Sequence, residues 1–159
     1  MFRELTRKHK AMPQETCIEV LKNETRGVLS VLGDDDYPYG MPMNHFYDEE
    51  TGKIYFHVGT QYSHRNDSIR KHDKVSYCVY DQGYKEEGDW AYNVKSVIVF
   101  GRMETLEDKE LIVKITTKLT QKFTDDAEYL AAEFRDNLVR TLLLELTPEH
   151  ISGKYVKEA

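Results

Sequence analysis

Gly27–Gly33, Tyr37–Tyr47, Ile54–Val58, Val75–Asp81 and Lys95–Met103 have the length and residue pattern of β-strands. In Val75–Asp81 the alternation is plain. Val75, Tyr77 and Val79 share one face, and Ser76, Cys78 and Tyr80 share the other. Pro38 and Pro42 place the second run at a sheet edge or a bulge, because proline has no N–H to give to a ladder. Asp34-Asp-Asp36 and Thr51-Gly52 read as turns between strands. Pro13–Asn23 reads as a helix that opens on proline and puts Cys17, Ile18 and Leu21 on one face. Thr60–Lys71 is polar and ends in a short helix with Ser63 as its N-cap. Beyond Met103 the period lengthens. Thr105-Leu-Glu-Asp108 fits a capping box ahead of Leu111, Ile112, Ile115 and Leu119. Asp125-Asp-Ala-Glu128 caps a further helix to about Asn137. Leu138–Leu146 reads as a last strand, closed by Pro148 and followed by a polar tail. Strands first, helices late and one closing strand give an α+β, mainly β, fold on an antiparallel barrel or sheet.

The 159 residues suit one domain, 1–159, with a basic arm at Met1–Met12 that is either solvated or packed on a partner subunit. A net charge of −6 argues against sequence-wide nucleic-acid binding. No apolar run approaches membrane-spanning length, and no h-region follows the basic arm. Cys17 and Cys78 lack metal-ligand spacing and read as reduced thiols, so the expectation is a cytoplasmic protein with neither nucleic-acid nor membrane partners.

The six histidines (His9, His45, His57, His64, His72, His150) contain no metal-binding pair at close spacing, so no metal site is expected. No nucleophile elbow, P-loop or dinucleotide fingerprint is present. The informative stretch is Tyr55–Arg70, where a strand runs through a polar turn into a short helix. Ser63, His64 and Arg65 stand at that helix start, where free N–H groups, the helix dipole, a hydroxyl and a guanidinium together suit an anion. An ordinary solvated or ion-paired arginine is the competing explanation. Gln82–Asn93 is long enough to be functional, and its Trp90 and Tyr92 either cover a ligand face or pack at an interface.

Gly27-Val-Leu-Ser30, Tyr37–Asn44, Lys53–His57, Ser63-His-Arg65 with Ile69-Arg70, Lys74–Cys78, Ser96–Arg102 and Ile151-Ser-Gly-Lys154 occur in an order that resembles the flavin-binding split-barrel proteins related to pyridoxamine 5′-phosphate oxidase. The likeness is greatest to the nitroimidazole-resistance-type branch. It implies a six-stranded antiparallel split β-barrel with peripheral helices, and a homodimer holding FMN between subunits. It places Met43, Asn44 and His45 along the isoalloxazine and Phe56 and His57 beside the ribityl chain and phosphate. Ser63, His64 and Arg65 fall at the phosphate, and Ser96 reaches the neighbouring subunit's flavin. His57 is the candidate proton donor, a role its ordinary titration range suits. The implied activity is FMN-dependent reduction of a small aromatic or nitro-aromatic acceptor, with a small-molecule donor, in the first place a nicotinamide. A non-catalytic FMN or haem carrier, with His45 or His57 as haem ligand, is the other reading. The turn after His57 is about one residue longer than the family pattern, and Ser63 and Arg65 replace the commoner glycine and lysine. The Arg- and Trp-bearing C-terminal segment of the vitamin B6 oxidases is missing.

Overall fold

The computed structural model describes residues 1–158; the last residue of the expected polar tail, Ala159, lies outside them. The strands are β1 (Arg26–Leu32), β2 (Pro38–Asn44), β3 (Phe46–Asp48), β4 (Lys53–Gly59), β5 (Lys74–Tyr80), β6 (Tyr84–Lys85), β7 (Tyr92–Leu106) and β8 (Thr141–Lys157). The helices are α1 (Gln14–Asn23), α2 (His64–Lys71), α3 (Lys109–Thr120) and α4 (Ala127–Asn137). The strands form one curled antiparallel sheet in the order β2-β1-β5-β7-β8-β4-β3, with β6 paired to β7. Six long strands thus build the half-barrel of a split barrel, as expected. β2 lies at the end of this order, where its two prolines cost no ladder bonds on the open side.

Strand alternation sorts the side chains into an interior and an exterior. Leu29, Val31, Val75, Tyr77, Val79, Val97, Val99, Ile54 and Phe56 are buried inside, and α1 closes the interior with Cys17, Val20 and Leu21. Gly153 is needed here, because a Cβ would strike the Cys17 Sγ and Met12 side chains. A second, smaller core forms outside the barrel, where Ile112 and Ile115 of α3 cover Tyr55 and Leu143. The opposite exterior face carries Cys78 beside Ile98 and Ser76 beside Phe100, and it is open.

The late elements differ from the sequence reading. Asp108, not Thr105, caps α3, its carboxylate accepting from Leu111 N–H at 2.9 Å; Thr105 still belongs to β7. Asp126 caps α4 as expected. Leu138–Arg140 is a 3₁₀ turn, and Pro148 does not end the last strand. The β7–β8 ladder shifts register between Phe100 and Gly101, opposite Pro148, and this irregularity absorbs the missing N–H so that β8 continues to Lys157. The expected loop Gln82–Asn93 contains the β6 pairing to Tyr92 and Asn93.

Candidate functional site

α2 sits at the split of the barrel. Ser63 is its N-cap, its Oγ accepting from Asn66 N–H at 3.2 Å, so the expected cap is in place. Buried Asn66 points its amide at the carbonyls of Gly59 and Gln61 (3.5 and 3.4 Å), which fixes the end of β4 to the helix start. Ser68 and Ile69 anchor the far side of α2.

Arg65 occupies the first turn of α2, the end at which a cation is disfavoured by the helix dipole. It is half-buried, and among the described residues no carboxylate pairs with it. Its contacts are its neighbour Asn66 (Nε to Oδ1, 3.1 Å) and the Met43 sulfur of β2 (3.7 Å). The acid of that first turn, Asp67, is turned to Arg70. Burial works against the guanidinium charge and lowers its pKa, with the Tyr39 phenol opposing. A desolvated cation without a counter-charge is costly unless a ligand supplies one.

The other expected residues separate into distinct places. His64 turns to the β1–β2 connection, where its Nε2 accepts from Asp34 N–H at 3.2 Å and its ring stacks on Tyr39 at 4.4 Å. Met43 and Asn44 lie on β2, with Asn44 exposed and the Met43 carbonyl accepting from Tyr77 O–H at 3.1 Å. His45 is fully buried. A carbonyl only accepts, so His45 Nε2 donates to Leu21 O (2.6 Å), and Nδ1, 2.8 Å from the Tyr77 hydroxyl, shares its single O–H with the Met43 carbonyl. Its backbone N–H is taken by Thr25 O and its carbonyl by Lys122 Nζ. Burial first, and the Lys122 charge second, push the His45 pKa down to about 4. Lys122 itself is lowered to about 8 by burial.

Phe56 is buried inside the barrel, edge-on to Tyr77. His57, next along β4, faces the other way, into a narrow recess against α3 and α4 with Thr116, Glu133 and Leu138. It keeps part of its ring open to water, yet the surrounding protein lowers its pKa, with the Glu133 charge opposing. The structure therefore brings Ser63, Arg65 and Met43 together at the split and puts His57 in a separate recess. Ser96 is half-buried on the open exterior face, in register with Tyr80 and Lys154. Trp90 stands exposed in the loop before β7.

Two residues that organise the site were not legible as such. The strand pattern groups Tyr77 with Val75 and Val79 on one face, but its bridge between His45 and Met43 depends on partners 32 and 34 positions away. Nothing in the local sequence marks Asn66, whose partners are the carbonyls of Gly59 and Gln61. Larger cavities occur elsewhere on the exterior face: one of about 490 Å³ beneath Met1 and Phe2, and one of about 390 Å³ between Arg26 and Gln82. Neither includes Ser63 or Arg65. Among the described residues there is no cluster of metal-binding side chains, and no helix is long and apolar enough to cross a membrane.

With this geometry in hand, comparison with known proteins defines the class. A family profile for pyridoxamine 5′-phosphate oxidase matches residues 13–155. The chain belongs to this pyridoxamine 5′-phosphate oxidase-like split-barrel family. Among solved structures it is similar to a candidate 5-nitroimidazole antibiotic resistance protein from Bacteroides thetaiotaomicron (TM-score 0.74, 13% identity, 92% of this chain and 87% of that one). It is similar also to an FAD-binding protein from Mesorhizobium loti (TM-score 0.67, 22% identity, 92% and 97%). A flavocytochrome from Azotobacter vinelandii shares the fold as well (TM-score 0.71, 15% identity, 96% and 72%). At these identities the likeness concerns the fold. No curated protein matches the sequence.

Proposed function

We propose that the chain is an FMN-binding oxidoreductase that works as a homodimer and reduces a small aromatic or nitro-aromatic acceptor. The observation that carries this is Arg65: a half-buried guanidinium without a carboxylate partner, at the start of α2, beside the unpaired edge of β2. A terminal phosphate dianion matches that charge and can also accept the Ser63 hydroxyl proton, which the cap bond leaves free. The open edge of β2 at Met43 and Asn44 offers backbone groups to the rim of a flat heterocycle. Bound FMN supplies the electron chemistry, fed by a nicotinamide donor.

The chain's own residues bind and orient. Arg65 and Ser63 hold the phosphate. Tyr77 and His45 fix the β2 carbonyl at Met43 from inside the barrel. His57, the candidate proton donor, faces the α3–α4 recess, where burial lowers its pKa against the opposing Glu133 charge. Both His45 ring nitrogens are committed within the chain, which disfavours the haem reading at that residue.

The dimer reading rests on the open exterior face, where Tyr80, Ile98 and Phe100 are exposed on adjacent strands around Ser96. Such a patch is characteristic of an interface. The visible spectrum of the purified protein is the first test. A yellow protein that bleaches with a nicotinamide reductant and recovers in air supports the enzyme, and one that stays yellow indicates a carrier. Ile98→Lys is expected to give a monomer by size-exclusion chromatography that has lost its flavin. A flavin-loaded monomer would contradict the shared site.

A further inference from the structure

The flavin reading leaves one cavity unused. It measures about 310 Å³ and lies where β6, the start of β7 and the end of β8 meet, roofed by the 3₁₀ turn Lys8–Lys10. That is the lower end of the size range of small-ligand pockets, roughly 300–1,000 Å³. Three lysines, Lys10, Lys95 and Lys157, line it, and none of its lining residues is acidic. In a chain of net charge −6 this is a local reversal of sign.

The acids nearby are occupied. Asp89 pairs with Lys157 at 2.6 Å, with Glu86 adding to its field, and Asp81 accepts from the backbone N–H groups of Gly83 and Lys95. Lys10 and Lys95 have no ion-pair partner among the described residues. Clustered cations raise the local positive potential and favour an anion between them. An independent sign comes from Asn93, on the same wall, whose side-chain Nδ2 is buried without an acceptor. Buried donors are normally satisfied, so an orphan beside a basic cavity is a place for a ligand oxygen. The Tyr84 and Tyr155 rings, 59% and 45% exposed, offer apolar faces at the rim.

We propose that this cavity binds an aromatic organic phosphate of nucleoside-monophosphate size. Lys10, Lys95 and the Asn93 amide take the phosphate, and Tyr84 and Tyr155 take the ring. The site shares no residue with the α2 turn and does not depend on the flavin reading.

Trp90, the single tryptophan, lies next to Asp89, whose bond to Lys157 ties its loop to the cavity rim, and its emission serves as the probe. The experiment titrates the full chain with adenosine monophosphate, adenosine and inorganic phosphate, following Trp90 and confirming by equilibrium dialysis. Adenosine monophosphate is expected to bind saturably and tighter than either fragment. The Lys10→Ala/Lys95→Ala double variant should weaken it by about tenfold or more, since charge-assisted bonds are the strong ones. Arg65→Ala should leave it unchanged. The proposal is overturned if no saturable binding appears up to millimolar ligand, if adenosine binds as tightly as its phosphate, or if the double variant behaves as wild type. It is overturned too if Arg65→Ala abolishes nucleotide binding, which would move the ligand to the α2 turn and leave the flavin reading standing. An Arg65→Ala variant that keeps FMN affinity would sink the flavin reading without touching this one.

Discussion

Met43 belongs to two polar clusters that have opposite characters. Its carbonyl faces the barrel interior, where Tyr77, His45 and Lys122 satisfy one another and the carbonyls of Leu21 and Glu24. Its sulfur faces the split, where Arg65 finds only that sulfur and a neighbouring amide. The interior cluster is closed: among its hydrogen bonds no ring nitrogen is left over. The outer one is incomplete, because its charge has no counter-charge in the chain. Buried polar groups that are fully paired hold a fold together, and a partly buried charge left unpaired points to something bound.

The comparison breaks most visibly at His45. His45→Ala removes a buried ring and strands Leu21 O, a loss of about 2–5 kcal/mol of stability by analogy with other large-to-small core changes. Chemical denaturation measures it, and a variant of near wild-type stability would show that the interior cluster is not structural. The next effect is on pH dependence. His45 is lowered in the folded state to about 4 from an ordinary 6.5, so the unfolded chain binds its proton first as pH falls. Its contribution is whole above pH 6.5 and drains away towards pH 4, by about 3 kcal/mol at one pKa unit per 1.36 kcal/mol. His57 is shifted the same way and adds to this slope. Unfolding curves at several pH values should show the decline, and His45→Leu should flatten it. The smallest effect is at Arg65. Arg65→Ala removes an unpaired cation from a helix start, so stability should stay within roughly 0.5 kcal/mol of wild type or rise.

The contrast between the two clusters also explains what the sequence could and could not reveal. Ser63 was legible as a cap and Arg65 as an anion candidate because strand, turn, cap and charge lie within ten neighbouring positions. The edge-or-bulge reading of β2 followed from Pro38 and Pro42, and the division of β5 into two faces from strict alternation. The closed cluster was invisible because its members come from α1, the β2–β3 link, β5 and the turn just beyond α3. His45 therefore read as a cofactor-strand residue, with no local sign that both ring nitrogens and both backbone groups are spoken for. Pro148 misled for the same reason. A proline reads as a stop, and only the ladder irregularity at Phe100/Gly101 on a distant strand lets β8 pass it. Thr105 looked like a cap until β7, held by β8, claimed it.

Calorimetric titration of FMN into the wild-type protein and Arg65→Ala tests the central claim most directly. The account predicts that the variant melts at the wild-type temperature or above it and binds FMN more weakly by about 1.5–3 kcal/mol, the range of a hydrogen bond to a charged group. Equal affinity in the two proteins would contradict it and leave the unpaired guanidinium of α2 without a ligand.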